Sequence, residues 1–272
     1  MTTPASTSRF IRVLPDIAAF VLGLGLAYGL NWQTADLVWS LWLGSLVLGY
    51  LTLLSGIAGP ALMGFYAISR PGVTRKQRVA AVLAGGAAAL FFLGFFSLHF
   101  GGFHAGHSVF LNLFFPIPGL PKDGFGDAFM NPPLLWLLVW RHLIRPYGLF
   151  LIPAAIAERQ HVFMPLINAI KALRKTAATR DNAADADKTT PPHTPKNKGH
   201  FQLQGAMARP YINVVRMHIL IFFFAFAHAL KLDSFLVYAT VYTVYFFPWQ
   251  ELKTTLAEKK AAKATPPTTL AT

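Results

Sequence analysis

The apolar residues of this chain fall in long unbroken runs rather than along one stripe of a helix or one face of a strand. Val79 to Leu98 contains no charged side chain. As a helix rising 1.5 Å per residue it spans the roughly 30 Å hydrocarbon core of a bilayer. Six such runs can be placed. The first is about Leu14 to Leu30, with Pro15 and Asp16 suited to a helix N-terminus, where a missing N–H costs little and negative charge is favoured. The second starts near Asp36 and stays uncharged to Ser69, which exceeds one crossing. Gly56, Gly59 and Pro60 are expected to kink or end it, leaving Ala61 to Ile68 on the inner surface. The third runs from Val79 to about His99 and on through a histidine segment towards Phe115. Asn131 to Ala157 is the fourth, interrupted by Arg141, His142 and Arg145. Tyr211 to Leu230 and Ser234 to Gln250 are the fifth and sixth, joined so closely that they should be antiparallel neighbours.

The polar stretches between the runs set orientation. Arg9 and Arg12 precede the first run; Arg70, Arg75, Lys76 and Arg78 separate the second from the third. A dense basic set from Lys171 to Arg209 precedes the fifth, and Lys253, Lys259, Lys260 and Lys263 follow the sixth. With six crossings all four regions share one side, and excess Lys and Arg marks the cytoplasm. The expected organisation is a cytoplasmic tail over 1–13, membrane helices one to four over 14–175 and a disordered basic cytoplasmic loop over 176–208. Membrane helices five and six follow over 209–252, and a disordered cytoplasmic tail over 253–272. The opening MTTPASTSRFIRVLPD does not read as a signal peptide, so the first run is expected to be retained. Trp32, Trp39, Trp42, Tyr242, Tyr245 and Trp249 lie near expected run ends and read as interfacial anchors.

Composition agrees with a membrane class: 54% of the residues are hydrophobic and only 13% charged, against about a quarter charged in ordinary soluble domains. The net charge of +13 does not point to nucleic acid, because the basic residues fall between apolar runs rather than on one folded surface. With no cysteine in the chain, disulfides, thiolate metal sites and cysteine nucleophiles are excluded. No nucleophile elbow, Walker loop, dinucleotide fingerprint or His-Glu-x-x-His pattern occurs.

The candidate chemistry is in "FFSLHFGGFHAGHSVF", residues 95–110. On one straight helix His99 and His107 are about 12 Å apart along the axis and cannot share an ion. A helix break at Gly101 and Gly102 would let His99 face His104 and His107. His218 and His228, at different depths of the fifth run, are the other candidate partners. Imidazole is the commonest ligand for zinc, copper and haem iron and also titrates near neutral pH. The cluster therefore reads as a transition-metal (Cu, Zn or Fe) or haem site, as a proton or solute path, or as neutral histidines joining helices. Arg141 and Arg145, one turn apart, suit an anionic group or lipid phosphate, or snorkel to the interface.

Two stretches carry a family resemblance. "FFSLHFGGFHAGHSVF" resembles a Phe-x-x-His-Tyr-Gly-x-Phe-x-x-x-His segment, and "ARPYINVVRMHILI" resembles a Pro-Tyr-x-x-x-Val-x-x-His segment. Both belong to a bacterial and archaeal family of multi-pass membrane proteins classed as a domain of unknown function. The resemblance implies a membrane fold and carries across His99, His107 and His218, with Gly101, Phe103, Pro210 and Tyr211; it implies no reaction. The leading expectation is a metal or haem site of His99, His107 and His218, for which the placing of the histidines in or beside apolar runs offers His104 and His228 as alternates. Where that family has Tyr-Trp-x-Glu in its second span, this chain has Leu41, Trp42, Leu43 and Gly44, and Phe100 replaces the tyrosine after the first histidine. The expectation is thus an all-α polytopic integral membrane bundle of about six transmembrane helices in a bacterial cytoplasmic membrane, both termini inside. Its expected partner is the lipid bilayer, with no nucleic acid and no identified protein partner.

Overall fold

The computed structural model describes residues 4–185, 215, 219, 222–224, 226–231, 234–249, 252–254 and 257. Among them every regular element is helical and there is no strand. The long elements are α1 (Pro4–Gly29), α2 (Thr34–Ile68) and α3 (Arg75–Phe114). Four short pieces follow, α4 (Gly124–Asp127), α5 (Pro132–Leu138), α6 (Ile144–Tyr147) and α7 (Leu151–Ala157). Then come α8 (Arg159–Val162), α9 (Met164–Asp185) and α10 (Phe235–Phe246). Helical residues also occur at 215, 219, 222–224 and 226–229. Two of these helices, α2 and α3, are long and apolar enough to cross a bilayer; Val13–Gly29 and Phe235–Val244 are shorter apolar helices.

Local sequence explains the long helices. Thr74 caps α3 reciprocally with Gln77: the Gln77 amide donates to Thr74 Oγ1 at 3.3 Å, and the Thr74 amide to Gln77 Oε1 at 3.0 Å. Asp36 accepts from the Gln33 amide at 2.8 Å at the start of α2. Three sequence expectations fail here. The second run does not stop at Gly56, Gly59 or Pro60, because α2 continues through all three to Ile68. Gly59 is buried beneath Ala169 and the Pro165 carbonyl, each 3.6 Å from where a Cβ would sit, so its role is close approach. The first run does not begin at Pro15, which lies inside α1. The third run does not break at Gly101 and Gly102, since α3 is uninterrupted there and both glycines are buried. A Cβ on Gly102 would meet the Phe129 carbonyl at 3.0 Å and one on Gly101 would meet the Tyr50 hydroxyl at 3.4 Å, so packing rather than turning accounts for the pair.

The fourth run is not one straight helix. A π-turn (Val139–Leu143) and a 3-10 turn (Gly148–Phe150) divide it, and its partners reverse order along α2 and α3. Leu135 packs at Gly101 and Trp136 on Tyr50, whereas Tyr147 reaches Asp36 and Trp32 near the start of α2. Ala154 then lies against Gly44, and Ala169 against Gly59. The chain therefore climbs towards the head of α2, bends at the 3-10 turn and descends parallel to α2 into α9, which continues helical past Thr176 to Asp185. Residues 186–208 lie outside the described set.

The core sits on the first half of α2 and the second half of α3. Trp39, Trp42, Leu43, Leu46, Phe96 and Phe100 are its most buried members. Trp39 and Trp42 are therefore core side chains and not interfacial anchors; the same correction applies to Trp32 and Tyr242, which are buried, whereas Trp249 is exposed.

A candidate functional site on the histidine face of α3

The α2–α3 seam brings the histidine segment against three side chains of α2. Trp42 donates its indole N–H to the His104 carbonyl at 3.2 Å, and Trp39 donates to the Phe115 carbonyl at 2.9 Å. His104 is fully buried. Its Nδ1 lies 3.0 Å from the Phe100 carbonyl and its Nε2 3.3 Å from Ser45 Oγ. A carbonyl can only accept, so Nδ1 carries a proton, and Nε2 is hydrogen-bonded to the serine hydroxyl, leaving both nitrogens engaged. Ser108 donates to the same His104 carbonyl at 2.7 Å, and the Phe100 and Trp42 rings lie 4.3 and 5.5 Å from the imidazole.

The other histidines have different surroundings. His99 is exposed, between Phe95 (rings 5.4 Å apart) and Phe103 (5.0 Å). His107 is half-buried, its ring 6.4 Å from that of His104 and 6.3 Å from Phe103. On an uninterrupted helix His99 stays about 12 Å from His107 along the axis, so the two do not meet. His228 is exposed, with its ring 5.3 Å from Phe115. His218 lies outside the described residues. Among the described residues no three His, Asp or Glu side chains gather where one ion could be held. Among the described residues the sequence candidates are thus brought together only as His104 with His107.

Arg141, in the π-turn, and Arg145, in α6, are both exposed. Sequence reading missed two polar ties that fix the fourth run. Tyr147 donates to Asp36 Oδ1 at 3.1 Å, and the Arg159 guanidinium contacts both Asp16 oxygens at 2.5 and 3.1 Å while also donating to the Ile156 carbonyl at 2.8 Å. The hydrogen bonds to Asp16 raise Arg159 above its ordinary value, against a smaller opposing effect of burial, and the guanidinium stays charged. The available signal was the rarity of acids: Asp16 and Asp36 are the only carboxylates before Asp123, and each needs a donor.

The sequence model of one family, described as a family of unknown function (DUF6498), matches residues 2–164. That span holds the histidine segment and ends before "ARPYINVVRMHILI". No curated protein and no solved structure matches the chain.

Proposed function

From a chain that belongs to this family of unknown function, DUF6498, membership of which implies no reaction, we propose an integral membrane protein of structural or assembly type whose intramembrane histidine joins helices. The reading extends to six crossings in a bacterial cytoplasmic membrane with both termini inside. It rests on the two long apolar helices and on the gathering of Lys and Arg between the runs. The single observation favouring the structural role is His104: its nitrogens are engaged by the Phe100 carbonyl and by Ser45 of α2, and its own carbonyl binds Trp42. A doubly hydrogen-bonded imidazole between apolar helices is a tie of the kind that replaces hydrophobic association inside lipid.

A second reading keeps a transition metal or haem at His99, His107 and His218. What favours it is the half-buried His107 one turn from His104, and the placing of Phe222 6.1 Å from Phe110 and of His228 beside Phe115, which brings described residues of the fifth run against α3. The two readings separate by metal analysis and an absorption spectrum on purified wild type and on His107→Ala and His104→Ala proteins expressed with metal and haem available. The structural reading expects no stoichiometric metal or haem in any sample and a loss of thermal stability in His104→Ala. Metal or a haem band present in wild type and lost in His107→Ala would replace it. A proton-linked channel or transporter would be indicated instead by pH-dependent flux in proteoliposomes that is lost in His107→Ala.

A further inference from the structure

The end of the α2–α3 hairpin opposite the histidines carries a group of cations without a carboxylate partner among the described residues. Arg70 lies at the start of the hairpin turn with its guanidinium 5.5 Å from the centre of the Tyr66 ring, and Arg75, Lys76 and Arg78 fill the first turn of α3. All four are exposed, and none makes an ion pair among the described residues. The chain has no acidic residue between Asp36 and Asp123, so the hairpin supplies no counter-charge of its own. Ala154 at Gly44 and Ala169 at Gly59 set the descending fourth run parallel to α2. That register brings the exposed Lys171 and Arg174 of α9 beside the last turns of α2, adding charge of the same sign.

The surface next to these cations is apolar. Phe65 of α2 and Val79, Val82 and Leu83 of α3 are 51 to 67% exposed, and Gly85 and Gly86 have nothing within 4 Å of a would-be Cβ. A soluble acidic partner would answer the charge but not the greasy collar directly beneath it. A phospholipid answers both, its acyl chains against the collar and its phosphate at the level of the guanidinium groups.

We propose that the Arg70–Arg78 tip, with Lys171 and Arg174, is a binding site for the headgroups of anionic phospholipids. The site is separate from Arg141 and Arg145, which lie on the far limb of the fourth run. It rests on the membrane reading above, which is checked independently by whether the protein stays with membranes through an alkaline carbonate wash.

The test uses the full chain in micelles holding equal amounts of phosphatidylglycerol and phosphatidylcholine, with bound lipid counted by native mass spectrometry. Three proteins are compared: wild type, Arg75→Gln/Lys76→Gln/Arg78→Gln, and Lys122→Gln as a control at the other end. Wild type and the control are expected to retain phosphatidylglycerol preferentially. Since each cation near a charged surface contributes about fivefold, the triple variant should lose on the order of tenfold to a hundredfold of that preference, with unchanged helicity by circular dichroism. Equal retention of both lipids by wild type, or an undiminished preference in a helical triple variant, overturns the proposal. Displacement of the lipid by millimolar glycerol phosphate would reassign the site to a free anion and overturn it as well. A protein that passes the carbonate wash yet shows no lipid preference refutes the site alone; one stripped by the wash refutes the membrane reading.

Discussion

The two longest helices meet the same solvent on unequal terms. The most apolar 18-residue window of α3 exceeds that of α2 in mean hydropathy, yet only 6% of it is buried inside the protein, against 72% for α2. In water that order would be hard to sustain, because the greasier helix would be driven inward. In lipid it is expected: tails are as apolar as leucine, and helices associate through close packing and interhelical hydrogen bonds. The second half of α3 shows the same rule from the other side. It is buried where Phe96, Phe100, Gly101 and His104 mesh with Trp42, Gly49 and Tyr50, and where indole and hydroxyl groups bond across the seam. Small residues alone do not bring the same result, since a Cβ added at Gly85, Gly86 or Gly94 would meet nothing within 4 Å among the described residues.

Matched substitutions on the packed and open halves should separate them, and the largest contrast is in the aromatics. Trp42→Ala removes a fully buried indole and its bond, and should cost about 3–5 kcal/mol. Phe91→Ala, on a side chain 66% exposed, should stay within about 0.5 kcal/mol. Thermal unfolding of the two purified proteins in one detergent checks this, and equal losses would mean that α3 has a protein partner along its open half. Next comes overpacking. A Cβ on Gly49 would lie 2.4 Å from the Phe100 ring, so Gly49→Ala should cost about 1–3 kcal/mol, whereas Gly86→Ala should be neutral or slightly stabilising by relief of backbone entropy. The denaturant midpoints of the pair give the comparison.

Polar ties should rank below packing. His104→Ala loses one hydrogen bond to α2, of a kind worth about 0.6 kcal/mol and at most about 1.7 between membrane helices, together with the bond to its own helix at Phe100 and some packing. His99→Ala, on the exposed face, should shift the unfolding temperature by less than a degree or so. Asp16→Asn should be smallest, below about 1 kcal/mol, because the side chains of the Arg159–Asp16 pair remain about a quarter exposed. A loss as large as that of Trp42→Ala would show the pair to be buried in lipid.

How much of this could be read from the chain follows from what periodicity reports. The apolar runs gave the helical class and the places of α2 and α3, since each holds an uncharged stretch as long as a bilayer needs, but not their full extents, because both helices run on through the glycines expected to stop or break them. They could not tell which half of α3 is packed, because a helix apolar on all sides has no face to point with. Gly101 and Gly102 were misread for a related reason. Glycine marks both a turn and a close approach, and only the position of Phe129 and Tyr50 decides between them. Trp39 and Trp42 sit near a run end, as interfacial anchors do, but each found a backbone carbonyl on α3 for its N–H and so could be buried. The histidines were legible as a concentration of unusual residues, whereas their separation into an exposed His99, a half-buried His107 and a bonded His104 depended on Ser45 across the seam and on the Phe100 carbonyl one turn back on α3.

The ion pair between Asp16 and Arg159 also bears on the order in which the molecule is made. The two residues are 143 positions apart, and at a synthesis rate of about 5–20 residues per second the acid waits roughly 7–29 s for its cation. Through that interval α1 holds Asp16 without the Arg159 guanidinium that pairs with it in the finished fold, and an unpaired carboxylate is costly away from water. The first helix therefore has a reason to linger at the water boundary while α2 and α3 form their seam. Arrival of the descending fourth run removes that reason, so α1 docks after the α2–α3 seam, and α10, which stacks Tyr242 on Phe20 of α1, docks later still.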